Sequence, residues 1–96
     1  MVQKTVYKTK DYCKVKFSLQ PEKAKKVEVR GLNNNWQKGV SLTKKKDGTF
    51  SADIQLPKAS RHEFRYLVDG AQWINDNTAD GEVANGLGET NSILVL

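Results

Sequence analysis

At 96 residues the chain is long enough for one modest hydrophobic core and too short for two that would each stand unaided. Its composition, 38% hydrophobic and 28% charged, is that of an ordinary globular protein. No apolar run approaches the roughly 20 residues a membrane-spanning helix needs, so a membrane-spanning reading is excluded.

The net charge of +5 is unevenly spread: residues 1–46 hold 13 Lys/Arg against 3 Asp/Glu, and residues 47–96 hold 3 against 8, or +10 and −5. Such asymmetry fits either an anionic partner such as nucleic acid or a set of solvated strand faces and protected sheet edges. The lysines alternate with apolar residues instead of forming one block, which favours strand faces. The start of the chain has lysines every few residues and lacks the apolar core of a secretory signal, so a cytoplasmic location is expected. The expected organisation is a single domain over 1–96, with residues 1–10 a mobile basic segment. Cys13 is the only cysteine, which excludes an internal disulfide and a cysteine-based metal cluster.

Alternation with period two runs through the chain, and no segment keeps a helical period over the ten or more residues a helix requires. In Tyr12 to Leu19 the set Cys13, Val15, Phe17 and Leu19 alternates with Lys14, Lys16 and Ser18, placing four side chains, Cys13 among them, on one sheet face. Val27 and Val29 mark a second strand, which stops at Gly31-Leu32-Asn33-Asn34-Asn35, where Gly and Asn supply turn chemistry. Trp36 follows directly. A short strand around Val40 and Leu42 leads to Asp47-Gly48, a hairpin signal. Phe50, Ala52, Ile54 and Leu56 alternate on the return strand until Pro57 ends it.

Phe64, Tyr66 and Val68 form the next inward set, with Arg65 and Leu67 outward, before the turn Asp69-Gly70 and a short strand carrying Trp73. Asn75 to Glu89, rich in Asn, Asp and Gly, reads as a long loop of the kind that is often functional. Ser92 to Leu96 closes the sheet. About seven short strands at this spacing and no helix predict an all-β, immunoglobulin-like sandwich.

Catalysis finds little support. A nucleophilic triad would have to use His62, the only histidine, and the inward-facing Cys13. The carboxylates Asp69, Asp76, Asp80, Glu82 and Glu89 show no spacing that fixes a glycosidase pair, and a domain of this size leaves little room for a deep cleft. Asp76 to Glu82 lacks the ligand positions of a calcium loop, and no glycine-rich phosphate cradle is present. The expectation is a protein without enzymatic activity, metal or cofactor.

Trp36 and Trp73 each sit beside a turn. A half-exposed indole offers a flat apolar face for the C–H face of a sugar ring or for a nucleobase, while large aromatics elsewhere simply fill cores; spacing alone leaves these alternatives open.

The run from Val27 to Leu96 resembles carbohydrate-binding module family 48, the isoamylase N-terminal or early-set domains, which include the glycogen-binding domain of the AMP-activated protein kinase beta subunit. The resemblance rests on Val27-Glu28-Val29-Arg30-Gly31-Leu32-Asn33-Asn34-Asn35-Trp36, on Asp47-Gly48-Thr49-Phe50, on Phe64-Arg65-Tyr66-Leu67-Val68-Asp69-Gly70 leading to Trp73, and on Leu87-Gly88 leading to Asn91-Ser92. It implies an early-set sandwich that binds α-1,4-glucan such as glycogen or starch. Trp36 and Trp73 would stack on glucose rings, Arg65 would stand at the family's lysine position, Leu87 would be the leucine of the late loop and Asn91 would bond sugar hydroxyls. The sequence departs from the pattern at Leu32 and Asn33 and at Glu89, which replaces a threonine. Ala71-Gln72 adds a residue before Trp73, which turns that side chain to the other face unless a bulge absorbs it. The chain also resembles small free-standing bacterial early-set proteins that lack the catalytic domain of the larger relatives. A protein partner docked on a degenerate site is the alternative to glucan, with nucleic acid a weaker one.

Overall fold

The computed structural model describes residues 1–86 and 88–96. Among them are ten strands and one 3₁₀ turn: β1 (Val2–Val6), β2 (Tyr12–Leu19), β3 (Val27–Arg30), the turn Leu32–Asn34, β4 (Val40–Ser41), β5 (Thr43–Lys44), β6 (Phe50–Pro57), β7 (Arg61–Val68), β8 (Gln72–Ile74), β9 (Gly81–Ala84) and β10 (Thr90–Val95). They form two antiparallel sheets. One has the order β1-β2-β6-β5; the other runs β4-β3-β7-β10-β9, with β8 also paired to β7. The result is an all-β sandwich of the immunoglobulin-like kind.

The alternation read from the sequence is what closes the two layers. Cys13, Val15 and Phe17 of β2 are buried, as are Phe64, Tyr66 and Val68 of β7 and Leu94 of β10. Phe17 of the first sheet meets Phe64 of the second edge-on, with ring centroids 5.2 Å apart, and Phe64 meets Tyr66 at 5.8 Å. The contact between Phe17 and Phe64, in a core that removes whole side chains from water, joins the layers. No helix among the described residues is long and apolar enough to cross a membrane.

Four features depart from the sequence reading. The strand segments number ten among the described residues, because the short strand read around Val40 and Leu42 divides into β4, paired with β3, and β5, paired with β6, and because β1 and β9 add to the seven that were read. The stretch read as one loop from Asn75 to Glu89 contains β9, whose Val83 lies opposite Asn91 of β10. Val2–Val6, within the basic N-terminal segment, is an edge strand in register with β2, Val2 opposite Phe17 and Val6 opposite Cys13. Leu67, expected to face outward, is buried because Glu28 of β3 and Trp73 of β8 flank it from both neighbouring strands.

Candidate functional site

The outer face of the second sheet carries the two indoles. Trp73 pairs with Leu67 across the β7–β8 hairpin, so it shares the face of Arg65 and Leu67. The hairpin turn absorbs the additional residue: Asp69 and Gly70 both take left-handed backbone angles, with φ of 51° and 68°. Asp69 fixes the turn from outside, its Oδ1 accepting the backbone N–H groups of Lys25 and Lys26 at 2.8 Å each.

Trp36 arrives from the other side, at the end of the turn after β3. Asn34 N–H donates to the Gly31 carbonyl, Asn35 N–H to the Leu32 carbonyl, and Gly31 N–H back to the Asn35 carbonyl. Leu32 plugs the core beneath, while Asn33 and Asn34 adopt φ of 55° and 61°, a conformation asparagine tolerates better than most residues. Arg30 clamps the exit of the turn, Nη1 donating to the carbonyls of Trp36 at 3.1 Å and Gln37 at 3.0 Å. Glycine is required at 31, since a Cβ there would lie 2.6 Å from the Trp36 ring and 2.4 Å from the Glu63 carbonyl oxygen.

The two rings meet at a centroid distance of 6.3 Å and an interplanar angle of 60°. They make an angled trough and not a flat platform. The Arg65 guanidinium lies in its floor, 4.8 Å from the Trp73 ring centroid and 5.9 Å from that of Trp36, within range of a cation–π attraction to both. Its Nη1 is 2.5 Å from Glu89 Oε2, so the cation is neutralised by the very residue that departs from the family pattern. The cleft has a volume of about 350 Å³ and is lined by Trp36, Arg65, Trp73, Asn85 and Asn91. Trp73 remains 40% exposed, and its open face is available to a ligand.

Asn91, on β10, is buried, with its amide nitrogen donating to Glu63 Oε1 at 3.1 Å and its oxygen accepting from Asn85 at 3.4 Å. The structure thus brings together Trp36, Arg65, Trp73 and Asn91. Leu87 lies outside the described residues. Asn85 is an addition that sequence reading missed: it stands just past β9, and without that strand nothing tied its position to the cleft.

Asp76 and Asp80, between β8 and β9, are committed elsewhere. Asp76 is buried; its Oδ2 accepts the Tyr66 hydroxyl at 2.6 Å and lies 2.8 Å from the Met1 ammonium, and its Oδ1 accepts from Thr78. Burial pushes the Asp76 pKa up, but these hydrogen bonds outweigh it and hold the carboxyl below its ordinary value. Asp80 pairs with Lys4 at 2.6 Å. Among the described residues no group of three His, Cys, Asp or Glu side chains could hold a metal ion.

A small sandwich whose exposed sheet face holds two indoles around a paired arginine and two amides has the makings of a binding module. The chain belongs to the family described as the glycogen recognition site of AMP-activated protein kinase, whose model matches residues 14–95. No curated protein matches the chain.

Proposed function

We propose that residues 1–96 form one non-catalytic domain that binds α-1,4-linked glucan such as glycogen or starch, and that the trough between Trp36 and Trp73 is the binding site. The observation that carries the reading is the convergence of the two indoles, from turns on opposite sides of the cleft, on one arginine at an exposed face. A helical α-glucan presents neighbouring glucose rings at an angle to one another. Two rings inclined at 60° suit such a chain better than they suit a planar stack of bases. The C–H faces of two glucose units would lie on the indoles, with Arg65 in the floor and Asn85 and Asn91 in the lining as the polar groups that meet hydroxyls.

Pairing of Arg65 with Glu89 supports a neutral ligand over a polyanion, since the floor of the trough carries no net charge from that pair. An open cleft of this kind binds weakly; a dissociation constant of roughly micromolar to millimolar is expected. The test is a titration with a linear or cyclic maltooligosaccharide followed by two-dimensional NMR. Both indole N–H signals shift saturably in the wild type. Trp73→Ala, exposed enough to leave the fold intact, loses binding. Absence of shifts at millimolar sugar, or undiminished binding by the alanine variant, would overturn the assignment and make a protein partner on the same face the better explanation.

A further inference from the structure

The turn that carries Trp36 rests on a buried histidine. His62, on β7, is 7% exposed. Its Nδ1 accepts the backbone N–H of Asn33 at 3.2 Å, and its Nε2 lies 2.8 Å from Ser60 Oγ, which is itself 2.6 Å from the Pro57 carbonyl oxygen. A backbone N–H can only donate and a carbonyl can only accept, so the direction of the whole chain is set from both ends. Ser60 donates to Pro57, Nε2–H donates to Ser60, and Nδ1 is the unprotonated nitrogen. The imidazole is held as one neutral tautomer.

A second proton has one place to go, Nδ1, where it would point at the N–H of Asn33 and convert an acceptor into an opposing donor. Asn33 belongs to the left-handed pair that shapes the turn, and the Trp36 ring lies against Gly31 of that same turn. Movement of Asn33 away from β7 therefore carries the indole with it. The cavity of about 200 Å³ lined by Gly31, Asn34, Trp36, Arg61, His62 and Glu63 gives the turn room to shift.

We propose that His62 is a positioning residue for Trp36, and that its protonation releases the Asn33 turn and weakens glucan binding. The inference rests on the reading that Trp36 stacks on sugar. The surroundings of His62 leave its titration to burial. On β10 its partner is Leu94. From the β6–β7 turn come Ser60 and the Pro57 carbonyl, while the Lys58 ammonium is taken by the Tyr7 carbonyl. Asp11 meets that turn through its backbone carbonyl. On its own strand Arg61 and Glu63 alternate to the other face and pair with each other at 3.4 Å. Burial alone lowers the His62 pKa from the ordinary 6.5, so protonation is displaced toward more acidic solution than for a free imidazole.

The experiment follows glucan affinity by calorimetry and the His62 ring and Trp36 indole by NMR, from about pH 7.5 to about pH 5, for the wild type and His62→Asn. Asparagine offers an amide oxygen near the place of Nδ1 and does not titrate in this range. The wild type should lose about five-fold or more in affinity on acidification, while the variant stays flat. Because coupling is reciprocal, saturating maltooligosaccharide must depress the wild-type His62 pKa by the matching factor, a readout that a purely structural histidine would not give. Parallel pH profiles for the two proteins, or a His62 pKa unmoved by sugar, would overturn the proposal. If the variant fails to fold, the wild-type pKa shift decides alone. If no glucan binds even at about pH 7.5, the glucan reading fails separately. The positioning role then stands or falls on whether the Trp36 indole follows the His62 titration.

Discussion

Tyr66 shows how much one side chain can connect. Its ring is fully buried against Phe64, and its hydroxyl donates to Asp76 on the loop after β8. Burial and the Asp76 carboxylate together raise the phenol pKa far above its usual range, so the hydroxyl is a permanent donor. Tyr66→Phe keeps the packing and removes the donor, leaving a buried carboxylate oxygen with fewer partners; a loss of about 1–3 kcal/mol is expected in denaturant unfolding. The pH dependence follows with its sign. Asp76 titrates below its ordinary 3.8 in the folded protein, so it contributes stability that is present above that value and lost as pH falls through the folded pKa. Removing the Tyr66 bond raises the folded pKa and shrinks that contribution. The variant should therefore show its largest deficit near neutral pH and converge on the wild type in strong acid.

At the scale of elements, the turn from Gly31 to Asn35 does more for the site than any strand. Gly31 has φ of 107° and no space for a Cβ between the Trp36 ring and the Glu63 carbonyl. Gly31→Ala should cost about 1–3 kcal/mol in thermal unfolding through backbone strain, and should displace the Trp36 indole signal while leaving that of Trp73 near its place. Equal movement of both would mean that the turn does not position Trp36 independently. The same turn marks where sequence reading succeeds and where it stops. Trp36 and Trp73 were legible because each stands beside a turn rich in Gly, Asn or Asp, and Arg65 was legible only through the resemblance of its strand to the family's. The angle between the indoles was not, because it depends on how two turns from separate hairpins meet. Glu89 was visible as a substitution but not as the partner of Arg65, 24 residues away. His62 was legible only as too little for a catalytic triad. Its function as an acceptor for Asn33, 29 residues earlier, arises from the pairing of β3 with β7. Strand β9 escaped notice because Gly81–Ala84 holds a single β-branched residue, Val83.

Over the whole molecule, the fold redistributes the charge asymmetry written along the chain. The basic first half and acidic second half are stitched together where Lys4 of β1 meets Asp80 and where Lys14 of β2 meets Asp53 of β6. The cleft is treated differently from the rest of the surface: Arg65, the one cation among the described residues of its lining, is paired with Glu89 and lies against the indole faces. Exposed lysines on the strand faces act at distances where salt screens them, whereas stacking and hydroxyl contacts are short-ranged and uncharged. A polyanion drawn to the lysines would lose affinity steeply with salt, because each phosphate contact releases a counterion. A neutral glucan in the trough would not. Raising sodium chloride from about 0.05 M to about 0.5 M should therefore change the maltooligosaccharide dissociation constant by less than about two-fold in isothermal calorimetry. Any binding of single-stranded nucleic acid should fall by an order of magnitude or more over the same interval. A steep salt dependence for the sugar would show that Arg65 is released from Glu89 on binding and that its charge, not the indole faces, dominates recognition.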